Sequence, residues 1–96
     1  MVVHNDTTEL PAREMTLLTI SDVEALRAQN IGRSTVWFVG APDTTPPANV
    51  SGGIKREPGE AITASDSLAD LFPGVPNVAR VFGYSESAGL VSVSHV

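Results

Sequence analysis

The chain contains no cysteine, and that absence removes a disulfide framework, a thiolate zinc site and a cysteine nucleophile together. Cations are scarce as well: six Lys and Arg residues stand against eleven acids, for a net charge of −5. Lys55-Arg56 is the only adjacent basic pair. Neutralising phosphates takes clustered positive charge, so no nucleic-acid partner is expected. No apolar run approaches the roughly 20 residues of a membrane-spanning helix, so no membrane partner is expected either. The opening residues Met1 to Glu9 lack the cation and apolar stretch of a secretion signal, which points to a soluble product made in a cytoplasm. Asn49-Val50-Ser51 matches a glycosylation sequon, which without secretion reads as chance. Histidine is also rare. His4 and His95 stand near opposite ends of the chain, and a metal site built on them requires the termini to meet. No metal and no cofactor is expected.

What the chain has in quantity is short β-forming runs separated by turn residues. The last third, from Asn77 to Val96, reads as a hairpin. Val78, Val81, Phe82 and Tyr84 precede a polar turn, Ser85 to Gly89, and Leu90, Val91 and Val93 follow it. After Gly89 the pattern alternates. Val91, Val93 and His95 point one way, and Leu90, Ser92, Ser94 and Val96 the other, as in a strand half buried in a sheet. A lone hairpin is barely stable in water, so upstream segments must supply more strands.

Residues 1–14 are polar and interrupted by Pro11, which predicts an N-terminal arm outside the core. Its two readings are a frayed terminus or a segment that orders on a neighbour, with Thr7, Thr8, Glu9 and Leu10 as the candidate contacts. Met15 to Ile20 predicts a first strand. Ser21-Asp22-Val23-Glu24 matches a capping box, with a short helix expected to about Asn30 and Gly32 as its cap. Val36-Trp37-Phe38-Val39 puts large side chains on both faces of a strand, which suits a central strand covered on both sides. Either Trp37 or Phe38 is then core or faces a partner. Pro42, Pro46 and Pro47 mark a loop. Pro58-Gly59 fits the centre of a type II turn, with Ala61 to Thr63 as the returning strand. Ser67 to Leu71 predicts one helical turn, with Leu68, Leu71 and Phe72 plugging the core.

The inventory gives a mainly β fold: a small antiparallel β-sandwich or partly open barrel of five to six short strands, one or two short helices and the arm. The domain plan is an arm over 1–14 and one β-rich domain over 15–96. Catalysis finds no support in the spacing. A nucleophile needs a base and an orienting group, and His95 does not share a strand face with its immediate neighbour Ser94 or with Ser92. Gly52-Gly53 lacks the lysine and hydroxyl of a phosphate loop and reads as a turn. No enzyme activity is expected.

The order Val36 to Gly40, Gly52-Gly53-Ile54, Glu57-Pro58-Gly59-Glu60, Arg80 to Tyr84 and Gly89 to Val93 resembles small β-domains of tailed-bacteriophage virion proteins. The resemblance covers about residues 34–96. It implies a non-enzymatic structural protein of the virion, made in a bacterial host. Its implied role is a capsid decoration (cement) protein, or a head-fibre base, that binds the major capsid protein or another virion component. Homo-oligomerisation is left open. Trp37, Phe38 and Tyr84 join the arm residues as candidate partner-binding positions. The alternatives are a tail- or fibre-associated module that binds a carbohydrate or receptor, with an aromatic stacking on the ligand, and a small inhibitor of a host protein.

Overall fold

The computed structural model describes residues 4–95. In chain order its elements are β1 (His4–Leu10), β2 (Thr16–Leu17), β3 (Arg27–Asn30), β4 (Val36–Ala41), β5 (Ile54–Arg56), β6 (Ala61–Ile62), α1 (Leu68–Leu71), β7 (Arg80–Tyr84) and β8 (Gly89–His95). They make two four-stranded antiparallel sheets, ordered β1-β8-β3-β6 and β2-β7-β4-β5. The alternation expected of the last strand holds: Val91, Val93 and His95 are buried, and the residues between them are half exposed. Val96 lies outside the described residues. The inner faces meet in one core, where Ala28, Val91 and Val93 of the first sheet pack with Val36, Phe38 and Val81 of the second. This is the expected β-sandwich.

Two segments depart from expectation. The polar N-terminus is not an arm outside the core. β1 pairs with β8 over its whole length, from His4 opposite His95 to Leu10 opposite Gly89. Leu10 is only 1% exposed and belongs to the core. The reason is hydrogen-bond accounting: β8 is a central strand, and without β1 one whole row of its backbone groups would go unpaired. Polarity is no obstacle at a sheet edge, where one side of the strand faces solvent. Residues 1–3 of the expected arm lie outside the described residues.

The second departure is the expected helix from Ser21. No helix forms there; the segment runs irregularly to Leu26 and then becomes β3. Its backbone groups are taken by tertiary partners. The Val23 N–H donates to the Ala79 carbonyl at 2.9 Å, and the Glu24 carbonyl accepts from the Leu68 N–H at 2.8 Å. Leu26, Ala28 and Asn30 are buried at alternate positions, with Arg27 exposed and Gln29 half exposed between them. That is the period of a strand, and it overrides the capping signal. With β1 and β3 included, the strands number eight among the described residues.

Other expectations fall where the chemistry places them. Ser67 caps α1, its hydroxyl accepting from the Asp70 N–H at 3.2 Å. Leu68 and Phe72 are buried, and Leu71 packs beside them. Phe72 lies so close on β4 that a Cβ at Gly40 would sit 2.7 Å from its ring, so only glycine fits there. Gly59 takes φ +90°, and the Glu60 N–H donates to the Glu57 carbonyl at 3.0 Å, closing the Pro58-Gly59 turn.

One buried polar residue joins the two sheets. Asn30, at 0% exposure, ends β3 in the first sheet. Its side-chain amide donates to the carbonyls of Ser34, at the approach to β4, and Arg56, at the end of β5, at 2.7 and 3.1 Å. Its side-chain oxygen accepts from the Gly32 N–H at 3.1 Å. Its own backbone bonds the turn, donating to Glu60 at 2.9 Å and accepting from Gly59 at 2.7 Å.

The fold generates a direct test of β1. Leu10→Ala should lower unfolding free energy in a urea titration by about 2–4 kcal/mol, the cost of a cavity at a fully packed leucine. A detached arm would show no measurable change.

Candidate functional site

The side chains of β4 and β7 that alternate away from the core form the outer face of the second sheet. Three cross-strand pairs lie on it in register: Trp37 with Tyr84, Val39 with Phe82 and Ala41 with Arg80. A two-layer fold should leave such a face wet, yet Val39 and Phe82 are 4% and 2% exposed. The proline-bearing connection between β4 and β5 contributes the cover. Its backbone presses on Val39, since a Cβ on Gly53 would lie 3.1 Å from a Val39 methyl. Ala48, Asn49 and Val50 line a hollow with Met15 and Tyr84. At the start of this connection the Asp43 carboxylate accepts from the Thr45 N–H at 2.8 Å. That backbone bond, with a further bond from the Thr45 side chain, holds the Asp43 carboxyl below its ordinary pKa.

The cover stops short of Trp37 and Tyr84. Both are half-buried, with ring centroids 6.4 Å apart and planes at 63°, an edge-to-face pair. Beside Trp37 is a hollow of about 400 Å³ whose lining includes Arg33, Ser34, Glu86 and Ser87. A second hollow of about 400 Å³ lies beside Tyr84 and includes Arg13 and again Glu86. The rims are held by buried Ser85. Its hydroxyl donates to the Thr35 carbonyl at 2.9 Å, and its carbonyl accepts from the Arg13 N–H at 2.7 Å. Arg13 sits at φ +59°, a left-handed conformation rare for a side-chain-bearing residue. Three separate connections, carrying Arg13, Arg33 and Glu86, are thus tied together beneath the aromatic pair.

The candidate residues divide into three groups. Trp37 and Tyr84 come together as described. Leu10 and Phe38, at 1% and 0% exposure, are core and have no surface for a partner, because their strands alternate them inward. Thr7 and Glu9 lie on the outer face of the first sheet, in register with Ser92 and Leu90, on the opposite side of the sandwich from Trp37. Thr8 faces inward at the edge and is half-buried. The arm residues and the aromatics therefore do not form one surface. The free edge of β1 is also guarded, for the Asp6 carboxylate accepts from the Thr7 N–H at 2.8 Å and occupies a donor that an added strand would need.

His4 and His95 do meet, as register partners with ring centroids 4.9 Å apart. The Ile20 N–H reaches the His95 Nε2 at 3.4 Å. Among the described residues no group of three or more His, Asp or Glu side chains could hold a metal ion. Ser94 faces away from His95, its hydroxyl donating to the Asn5 side-chain oxygen at 2.5 Å. No helix among the described residues is long and apolar enough to cross a membrane.

Sequence reasoning missed Arg13, Arg33, Glu86 and Ser87, which are scattered along the chain. The one available signal was position: Arg33 and the Ser85-Glu86-Ser87 turn sit at the ends of the strands carrying Trp37 and Tyr84. No protein-family model, curated protein or solved structure matches this chain.

The burial contrast predicts a contrast in stability. Phe38→Ala should cost about 3–5 kcal/mol in chemical denaturation, whereas Trp37→Ala, with part of its surface already in water, should cost about 1–2 kcal/mol. Equal losses would make Trp37 a core residue.

Proposed function

We propose that the chain is a non-enzymatic virion structural protein, a decoration subunit that attaches to a phage head lattice through its Trp37–Tyr84 face. One observation carries the docking surface. On one sheet face Val39 and Phe82 are buried, with Gly53 of the β4–β5 connection close on Val39, yet the adjoining Trp37 and Tyr84 are left half-exposed over a hydrogen-bonded base. Large aromatics on a firm support, with charges around them, are what protein contacts concentrate their binding energy on. Attachment by a loose N-terminal arm is the weaker route, since β1 is spent on completing the first sheet.

The assignment to a phage particle rests on the resemblance of residues 34–96 to small β-domains of tailed-bacteriophage virion proteins, of which capsid decoration is one role. The residues that carry that likeness are Val36 to Gly40, Gly52-Gly53-Ile54, Glu57 to Glu60, Arg80 to Tyr84 and Gly89 to Val93. A repeated lattice suits a small contact patch, because many weak attachments over one shell act together.

Quantitative mass spectrometry of purified particles tests this reading. A copy number equal to the main shell protein, or a simple fraction of it, is the expected result, and Trp37→Ala should reduce occupancy without unfolding the free chain. A few copies per particle would move the protein to tail or fibre. Complete absence would end the virion reading in favour of a host-protein inhibitor.

A further inference from the structure

We propose that the hollow beside Trp37 receives an acidic segment of the partner protein, with a carboxylate on Arg33 and extended backbone laid against the indole. The inference rests on the reading of this face as a protein-docking surface and adds the chemistry of what docks.

The chain carries −5 overall, yet around the aromatic pair three of its six cations, Arg13, Arg33 and Lys55, outnumber the two acids beside them, Glu86 and Glu57. Arg33 lines the hollow at Trp37, Arg13 lines the one at Tyr84, and Lys55 stands in register beside Trp37. Two of these already have acids: Arg13 meets Glu86 at 3.9 Å and Lys55 meets Glu57 at 3.6 Å. The Arg33 guanidinium has no partner among the described residues, and it lies in the same hollow as the indole. An arginine left open beside an aromatic face is matched to a carboxylate, which it can hold through two parallel hydrogen bonds.

The neighbouring hydroxyls narrow the class of ligand. Ser34 and Ser87 bond each other at 2.9 Å, Thr35 donates to Glu57 at 3.1 Å, and Ser85 donates to the Thr35 carbonyl. A sugar is held by several open hydroxyl-binding groups at once, whereas here the hydroxyls are paired and Glu86 already meets Arg13, so the hollow offers chiefly the Arg33 guanidinium and the indole surface. Those suit a peptide carrying an acid next to a flat, extended stretch, the form that proline-containing segments take at low entropic cost.

The sole tryptophan makes the test simple. The intact chain is titrated with a short synthetic peptide alternating Glu and Pro, and with the same peptide carrying Gln for Glu, while Trp37 emission is followed. The acidic peptide should shift the emission saturably and the Gln peptide should not. Arg33→Glu should weaken binding by about tenfold or more, and Arg33→Lys by clearly less, because a lysine keeps the charge but loses the paired geometry. Arg27→Glu, on the opposite side of the sandwich, should match the unaltered chain.

No response to the acidic peptide, equal binding of the Gln peptide, or an Arg33→Glu chain that binds normally would overturn the proposal. Saturation of the same signal by glucuronate in place of peptide would make this a sugar site, and an emission change on dilution alone would make the occupant a second copy. The two readings fail separately. Peptide binding through Arg33 by a chain absent from particles defeats the virion assignment alone, and a particle-bound chain indifferent to Arg33 defeats the acidic-segment proposal alone.

Discussion

The Asn30 side chain is the point on which this sandwich depends. A small two-sheet fold has few residues to hold its layers in register, and apolar packing is too undirected to fix where three connections cross. Asn30 supplies direction. Its amide satisfies the carbonyls of Ser34 and Arg56 while its oxygen satisfies the Gly32 N–H, all at 0% exposure. Buried amides are costly when partly paired and specifying when fully paired. Here both amide hydrogens and the oxygen are used. The residue also bonds the Pro58-Gly59 turn through its backbone, so the passage from β5 to β6, where the chain changes sheets, is anchored to the same atom cluster.

The candidate docking surface inherits its order from that junction. Ser34, whose carbonyl accepts from Asn30, lies directly after Arg33 and three residues before Trp37. Buried Ser85 then ties Thr35 to Arg13 from the other side. Aromatic and guanidinium groups carried on loops would otherwise lose rotamer and backbone freedom on meeting a partner, and a base fixed in advance lowers that cost. The fold and the candidate docking surface thus share a support, although Trp37 and Tyr84 are themselves only half-buried.

Much of this was legible in the residues. Alternation marked β8, the run from Val36 marked a central strand, Pro58-Gly59 marked its turn, and Ser67 marked α1, because each of those signals is local. The failures were non-local. Asn5 to Glu9 have no apolar pattern of their own and become a strand because β8 offers an edge. Ser21 to Glu24 carry a helix start, but the alternation of Leu26, Ala28 and Asn30 against β6 and β8 outweighs it. Phe38 was separable from Trp37 only once the core side of β4 was known. Arg33 and Arg13 meet the aromatic pair through tertiary ties at Ser85 and Asn30, which no spacing along the chain announces.

The most direct test of this account is the unfolding free energy of Asn30→Asp, measured by urea titration at neutral pH against the unaltered chain. The substitution keeps the shape and the acceptor for Gly32 but removes both donors, and it buries a charge facing two carbonyls. The account predicts a loss of about 3 kcal/mol or more, since two buried acceptors go unpaired and a charge is left without a partner. A change within experimental error would mean that the sheets are held by packing alone, and that Asn30 is incidental to the fold and to the surface built upon it.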